Sequence, residues 1–338
     1  ADGDSVWRID PDTGDVIDLI GVGDDPQSIA VGEGAVWVAN TDDSTVSRIG
    51  MPDNDSDEDA TTTTNPGAGD NAIPVGREPH GVAYGASAVW VANSGDNTVS
   101  RIDPDTNQVT ATVTVGAAPE DLAVGLGAVW VANSGDNTVS RIDPDTDQVD
   151  ATITNVPDSN EFEFSGTAGH PVGGGAIAIG NGAVWVANTG DDSAFSGGGF
   201  VARIDPQSKE VVSTFTGLAL PVDVAFGFES LWVASRRPSD LTAEPEWLLS
   251  RVDPDTGDVT GTINFYGSPI DIGTGTADVW STSEDDMSPP ALLSIDPDTL
   301  EQMSLGGLEL QPHGVAIGGG AVWLTESSDG TVSRLEES

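Results

Sequence analysis

The chain writes one phrase twice, SAVWVANSGDNTVSRIDPDT at 87–106 and GAVWVANSGDNTVSRIDPDT at 127–146. Looser copies fill the rest. Trp37, Trp90, Trp130, Trp185, Trp232, Trp280 and Trp323 each sit in a variant of A-V-W-V-A-N, at separations of 53, 40, 55, 47, 48 and 43 residues. A strand-rich unit of about 40–50 residues is the period of a propeller blade.

Each unit divides into four strand-like pieces. The first is P-x-x-V-A-V-G, as in Pro119–Gly125, followed by a tight turn such as Gly125-Leu126-Gly127. Next comes A-V-W-V-A-N, apolar on both faces, as a strand sandwiched between neighbouring sheets must be. T-V-S-R-I-D is the third piece, and V-x-x-T-I-x-V follows the Pro- and Gly-type turn D-P-D-T-G. No stretch carries sustained helical periodicity. First strands near Ile29, Val82, Leu122, Ile177, Val224, Ile270 and Val315 make seven. The expectation is one all-β domain over 1–338, a seven-bladed β-propeller of four-stranded antiparallel blades. One such sheet cannot bury both faces alone, whereas a closed ring of them does.

Strands from the two chain ends are expected to close the ring and remove an open sheet edge. Val16–Ile20 reads as the fourth strand of the blade containing Val315 and Trp323, but its third slot has two claimants, Ser5–Asp10 and Thr331–Leu335. Both remain open in the sequence. Residues 51–72, with D-N-D-S-D-E-D and T-T-T-T, form an acidic, Thr-rich insertion that cannot bury a core.

Charge bounds the partners. Asp and Glu number 56 against 11 Lys and Arg, a formal net charge of −45, and Lys209 is the sole lysine. Nucleic acid and anionic bilayers repel such a surface, and no apolar run approaches the ~18–20 residues of a membrane span. Self-repulsion weakens the compact state at low salt, and concentrated salt shortens the Debye length to about 3 Å. The composition resembles proteins of salt-accumulating halophiles, with K+ or Na+ held at an acidic surface. Lacking an initiator Met, the chain reads as a processed product, expected to be a secreted or cell-surface monomer. A cytoplasmic location stays open. With no cysteine there are no disulfides and no thiolate chemistry.

The strings T-V-S-R-I-D-P-D-T-x-x-V and V-G-x-x-P-x-x-V-A-V-G resemble the YVTN-type and virginiamycin B lyase-like (streptogramin lyase-like) seven-bladed propellers over nearly the whole chain. The resemblance implies the fold more than an activity, because such propellers include enzymes, binders and surface proteins. In the lyases, a glutamate at the channel mouth and histidines complete a magnesium-assisted elimination site. Pro312-His313-Gly314-Val315-Ala316 and Trp323-Leu324-Thr325-Glu326 match that pattern, which would make His80, His313 and Glu326 catalytic. Ser327-Ser328-Asp329 follow Glu326 without the histidine expected of a lyase.

Where repeat positions build the core, function is sought in the residues that break the repeat. Arg8, Arg48, Arg101, Arg141, Arg203, Arg251 and Arg334 share one third-strand slot, which suggests a recurring Arg–Asp bridge. All three histidines, His80, His170 and His313, border the proline that opens a first strand, a loop that in a propeller reaches the channel mouth. With Glu120, Asp121, Asp223 and Asp271 they would ring that mouth. Such imidazoles and carboxylates could hold Mg2+ or Ca2+, perform acid–base chemistry, or bind only water and salt cations. Arg77, Arg236, Arg237 and Trp247 lie off the pattern. Insertions at 158–169, 189–199, 236–246 and 284–290 would wall the same face. The leading reading is a ligand- or protein-binding or scaffold module that uses this face. A metal-dependent lyase or hydrolase and a purely structural surface module are the alternatives.

Overall fold

The computed structural model describes residues 5–11, 16–51, 72–154, 176–189, 199–237, 247–265, 268–285, 288–305 and 312–326. Strands β1 (Ser5–Ile9) and β2 (Val16–Gly21) come first. Blade 1 holds β3 (Pro26–Gly32), β4 (Ala35–Asn40), β5 (Thr45–Gly50) and β6 (Ala72–Pro74). Blade 2 holds β7 (Pro79–Gly85), β8 (Ala88–Asn93), β9 (Thr98–Asp103) and β10 (Gln108–Thr114). Blade 3 holds β11 (Pro119–Gly125), β12 (Ala128–Asn133), β13 (Thr138–Asp143) and β14 (Gln148–Thr154). Blade 4 holds β15 (Ile177–Gly180), β16 (Ala183–Asn188), β17 (Phe200–Asp205) and β18 (Glu210–Thr216). Blade 5 holds β19 (Leu220–Gly227), β20 (Ser230–Arg236), β21 (Trp247–Val252) and β22 (Val259–Phe265). Blade 6 holds β23 (Ser268–Thr274), β24 (Val279–Asp285), β25 (Ser288–Ile295) and β26 (Gln302–Leu305). The seventh combines β27 (Pro312–Gly318) and β28 (Ala321–Glu326) with β1 and β2, in the order β2-β1-β28-β27. Inner strands touch in sequence around the ring, and β27 meets β3. The molecule is a seven-bladed β-propeller.

Packing explains the repeat letters. The second strands of blades 1 to 4 and of blade 7 are buried at every position, and all seven tryptophans of the repeat are at most 2% exposed. Sheets covered on both faces require this. In six blades the indole N–H donates to the carbonyl of the glycine that ends the inner strand, as Trp37 does to Gly32 at 3.1 Å. The same glycine lets the next blade in: a Cβ on Gly32 would overlap the Tyr84 ring, and one on Gly180 the Phe226 ring. V-A-V-G is therefore a close-approach signature between blades.

The arginine slot departs from expectation. Arg8, Arg48, Arg101, Arg141 and Arg203 lie over the rings of Trp323, Trp37, Trp90, Trp130 and Trp185 at 5.4–5.7 Å. Register places each arginine directly across from its tryptophan, so the repeated contact is a cation–π stack. Among the described residues, carboxylate bridges from this slot occur at Arg101 with Asp147 (3.7 Å) and at Arg141 with Asp150.

The recurring D-P-D-T is a hairpin turn. Asp103 Oδ1 accepts the N–H groups of Asp105 and Thr106, and Asp143, Asp205, Asp253 and Asp296 repeat the arrangement. In blade 6 the stretch read as an insertion at 284–290 largely extends the β24–β25 hairpin, with Asp285 opposite Ser288. The cores of the other insertions, and residues 331–335, lie outside the described residues.

Candidate functional site

The inner strand of each fully formed first hairpin is irregular at its start. In β11, Pro119 pairs with Asn133 and Asp121 with Ala132, so Glu120 is the extra residue of a β-bulge. Register shifts recur at Pro26/Ser28, Pro79/Val82, Pro221/Asp223, Pro269/Ile272 and Pro312/Val315. A bulge turns a side chain out of the ladder. His80, Glu120 and His313 thus occupy the distorted positions of their blades, where regular strand burial does not bind them.

Two of these side chains meet. His80 Nδ1 lies 3.3 Å from Glu120 Oε2 across the boundary between blades 2 and 3, each side chain 30% exposed. Glu120 Oε1 accepts from Ser134 Oγ at 3.1 Å, and that hydroxyl also lies 3.0 Å from the Ala118 carbonyl. The order is Ser–Glu–His. A nucleophilic serine needs the imidazole next to it, so this chain positions Glu120 and activates nothing. His313, half-buried on β27, has a backbone carbonyl that accepts from Thr282 Oγ1 at 3.1 Å.

Asp121, Asp223 and Asp271 occupy the next slot. Each accepts one N–H from its own neighbour and one from the following blade: Asp121 from Leu122 and Ile177, Asp223 from Val224 and Ile272, Asp271 from Ile272 and Val315, all at 2.7–3.0 Å. Burial pushes all three pKa values up, against the lowering effect of those N–H donors. Asp121 rises to about 7, with further repulsion from Asp271 and Glu120. Asp223 is held well above the carboxylate range by burial and by Asp271 and Asp121. In the blades that read P-H-G, no such side chain fits: a Cβ on Gly81 would sit 2.8 Å from the Asp121 Cα, and one on Gly314 would sit 2.9 Å from the Gln27 carbonyl.

The remaining candidates make other contacts. Glu326 is buried, and its Oε2 accepts from Ser5 Oγ (3.2 Å) and Trp7 Nε1 (2.9 Å) on the adjoining strand. Arg77 is exposed and ties two loops together through Asp96 (2.7 Å) and the Gly95 carbonyl (2.7 Å). Arg236 pairs in register with Trp247 and lies 6.0 Å from its ring centroid, and Arg237 follows as an exposed residue. His170 lies outside the described residues. Ser134 was not singled out by the sequence, since N-S-G-D occurs in two blades and only one places its serine against a glutamate. Among the described residues, no group of three or more His, Cys, Asp or Glu is arranged to hold a metal ion. No helix among them is long and apolar enough to cross a membrane.

A family model described as a YNCE-like beta-propeller matches residues 70–174. No curated protein matches the chain. Solved structures do. The chain is similar to Kuenenia stuttgartiensis hydrazine synthase at 16% identity, over 80% of this chain and 76% of that one, with a TM-score of 0.58. It is similar to the computationally designed Ika8 protein at 13% identity, over 98% and 89%, with a TM-score of 0.64. The dihydro-heme d1 dehydrogenase NirN, in complex with DHE, matches at 13% identity over 89% and 61%, with a TM-score of 0.55. Such identities show shared fold alone. The chain is a seven-bladed β-propeller whose residues 70–174, spanning blades 2 and 3, are similar to the YNCE-like propellers.

Proposed function

We propose that this propeller is a non-enzymatic binding module, exported and salt-adapted, that takes a cationic ligand or the cationic segment of a partner protein at the channel-mouth face. The observation that carries the reading is the 3.3 Å His80–Glu120 contact between bulged positions of adjacent inner strands. The chain as a whole carries −45 charges. A mouth of this sign concentrates cations and repels anions. Export and salt adaptation rest on composition, with a single lysine and 56 acidic residues.

Kinship with the virginiamycin B lyase-like propellers draws on Pro312–Ala316 and Trp323–Glu326. An elimination role would require Glu326 to leave the hydrogen bonds it makes to Ser5 and Trp7. Binding is the better-supported reading.

Calorimetric titration with Mg2+, with Ca2+ and with a short oligolysine, at the lowest salt that keeps the chain folded, tests it. Saturable binding of at least one probe that weakens at least tenfold in His80→Ala/Glu120→Ala is expected. No saturable binding by the wild type, or binding unchanged in the double variant, overturns it.

A further inference from the structure

Asp121, Asp223 and Asp271 share one slot of the repeat and have no counterpart in the chemistry proposed for the mouth. Three of their six N–H···O bonds stay within the strand, and the other three join β11 to β15, β19 to β23 and β23 to β27. Elsewhere the slot does less: Ser28 reaches the Val82 N–H at 3.3 Å, and Gly81 and Gly314 carry no side chain. Among the described residues, a carboxylate at this slot that reaches the next blade occurs in blades 3, 5 and 6.

Three acids so placed also act on one another. Asp223 Oδ2 and Asp271 Oδ1 take the same N–H, that of Ile272, at 2.7 and 2.8 Å, which sets the two carboxyls side by side, and Asp121 is raised further by Asp271 and Glu120. Beyond Glu120 on β11 stands His80 on β7, and His313 follows Pro312 on β27. Arginines of the packed strands are engaged elsewhere: Arg203 lies over Trp185, Arg236 over Trp247, and Arg251 bonds Thr260 and the Pro297 carbonyl. The charges that act on Asp121 and Asp223 are those of neighbouring carboxylates.

We propose that the trio is a proton-operated latch of the ring: protons held among the three carboxyls let blades 3–4 and 5–7 close on one another, and loss of those protons leaves like charges that loosen these seams. The latch is independent of any ligand at the mouth. A hydrogen-bonded carboxyl pair that shares a proton avoids the repulsion two carboxylates would suffer. All three groups are displaced upward, Asp121 to about 7. The sign follows from linkage. Folded values above the unfolded 3.8 give stability that is complete below about 3.8 and is lost as pH rises through the folded values.

Urea unfolding from pH 5 to 8.5 in molar KCl tests the latch, because salt screens exposed carboxylates much more than buried ones. The wild type is expected to lose about tenfold in its folding constant per pH unit for each proton the trio holds. In Asp223→Asn/Asp271→Asn that dependence is expected to fall by at least one proton. An equal dependence in both proteins overturns the latch. Should the variant fail to fold, infrared difference spectra of the wild type decide: a protonated-carboxyl C=O band that disappears between pH 6 and 8.5 is expected, and its absence at pH 6 overturns the proposal.

Discussion

The carboxylate of Glu326 on β28 accepts the indole N–H of Trp7 on β1 at 2.9 Å, joining residues 319 positions apart. In blades 1, 2 and 3 an asparagine at this place donates instead, as Asn93 does to the hydroxyls of Thr98 (3.1 Å) and Ser100 (3.0 Å). The closing blade brings Trp7 where the others bring serine, and an indole N–H can only donate. The switch from asparagine to glutamate supplies the acceptor. Glu326→Ala would leave the buried Trp7 N–H only its longer contact to Ser5 Oγ (3.3 Å) and cost about 1–3 kcal/mol in urea denaturation. Glu326→Gln keeps an acceptor and should cost less; equal losses would contradict the clasp.

The glycine ending each inner strand gives a steric prediction. Gly32→Ala would drive a methyl into the Tyr84 ring and Gly180→Ala one into the Phe226 ring, each costing about 1–3 kcal/mol through overpacking. Gly21, where an added Cβ would meet no atom within 4 Å, is the control. Thermal melts should separate Gly21→Ala from the other two, and a common loss would refute the close-approach account.

Acid acts on the turns with the sign opposite to the latch. Backbone N–H donors hold Asp103, Asp205, Asp253 and Asp296 below the usual carboxylate range. Their contribution is present above the unfolded 3.8 and is lost as pH falls through the folded values. Replacing these four residues by asparagine should flatten the loss of stability below about pH 4 and leave the neutral limb unchanged. An unaltered acid limb in the variant would show that the loss arises elsewhere.

Salt dependence follows from −45 charges on 338 residues. Dialysis from molar KCl into a millimolar buffer lengthens the Debye length from about 3 Å to well over 10 Å and should unfold the chain. Circular dichroism reads the outcome. A β-type spectrum retained at low salt would count against salt adaptation.

The tryptophan-centred period showed the blades because a strand buried on both faces must be apolar at every position, and A-V-W-V-A-N is. The arginine slot was legible as a repeat but not as a contact, since sequence does not display which residue lies across a strand; Arg48 lies opposite Trp37, 11 positions away. Asp121, Asp223 and Asp271 stood out as candidates for the mouth. Their second partners, Ile177, Ile272 and Val315, are 56, 49 and 44 residues further on, beyond any local pattern. The contest for the third slot of the closing blade turned on a pairing that local sequence does not decide: β28 takes β1 as its neighbour, with Ser5 opposite Glu326.

The composite seventh sheet has a consequence for biosynthesis. Among the strands of the ring, the hairpin of β1 and β2 is made before all others, yet its inner neighbours β27 and β28 come after them. Until then the nascent chain is a crescent with an exposed seam, and Val16, Ile17 and Leu19, 37–48% exposed even in the finished ring, belong to the segment that waits. Completion is a meeting of strands distant in sequence, slow by its topology.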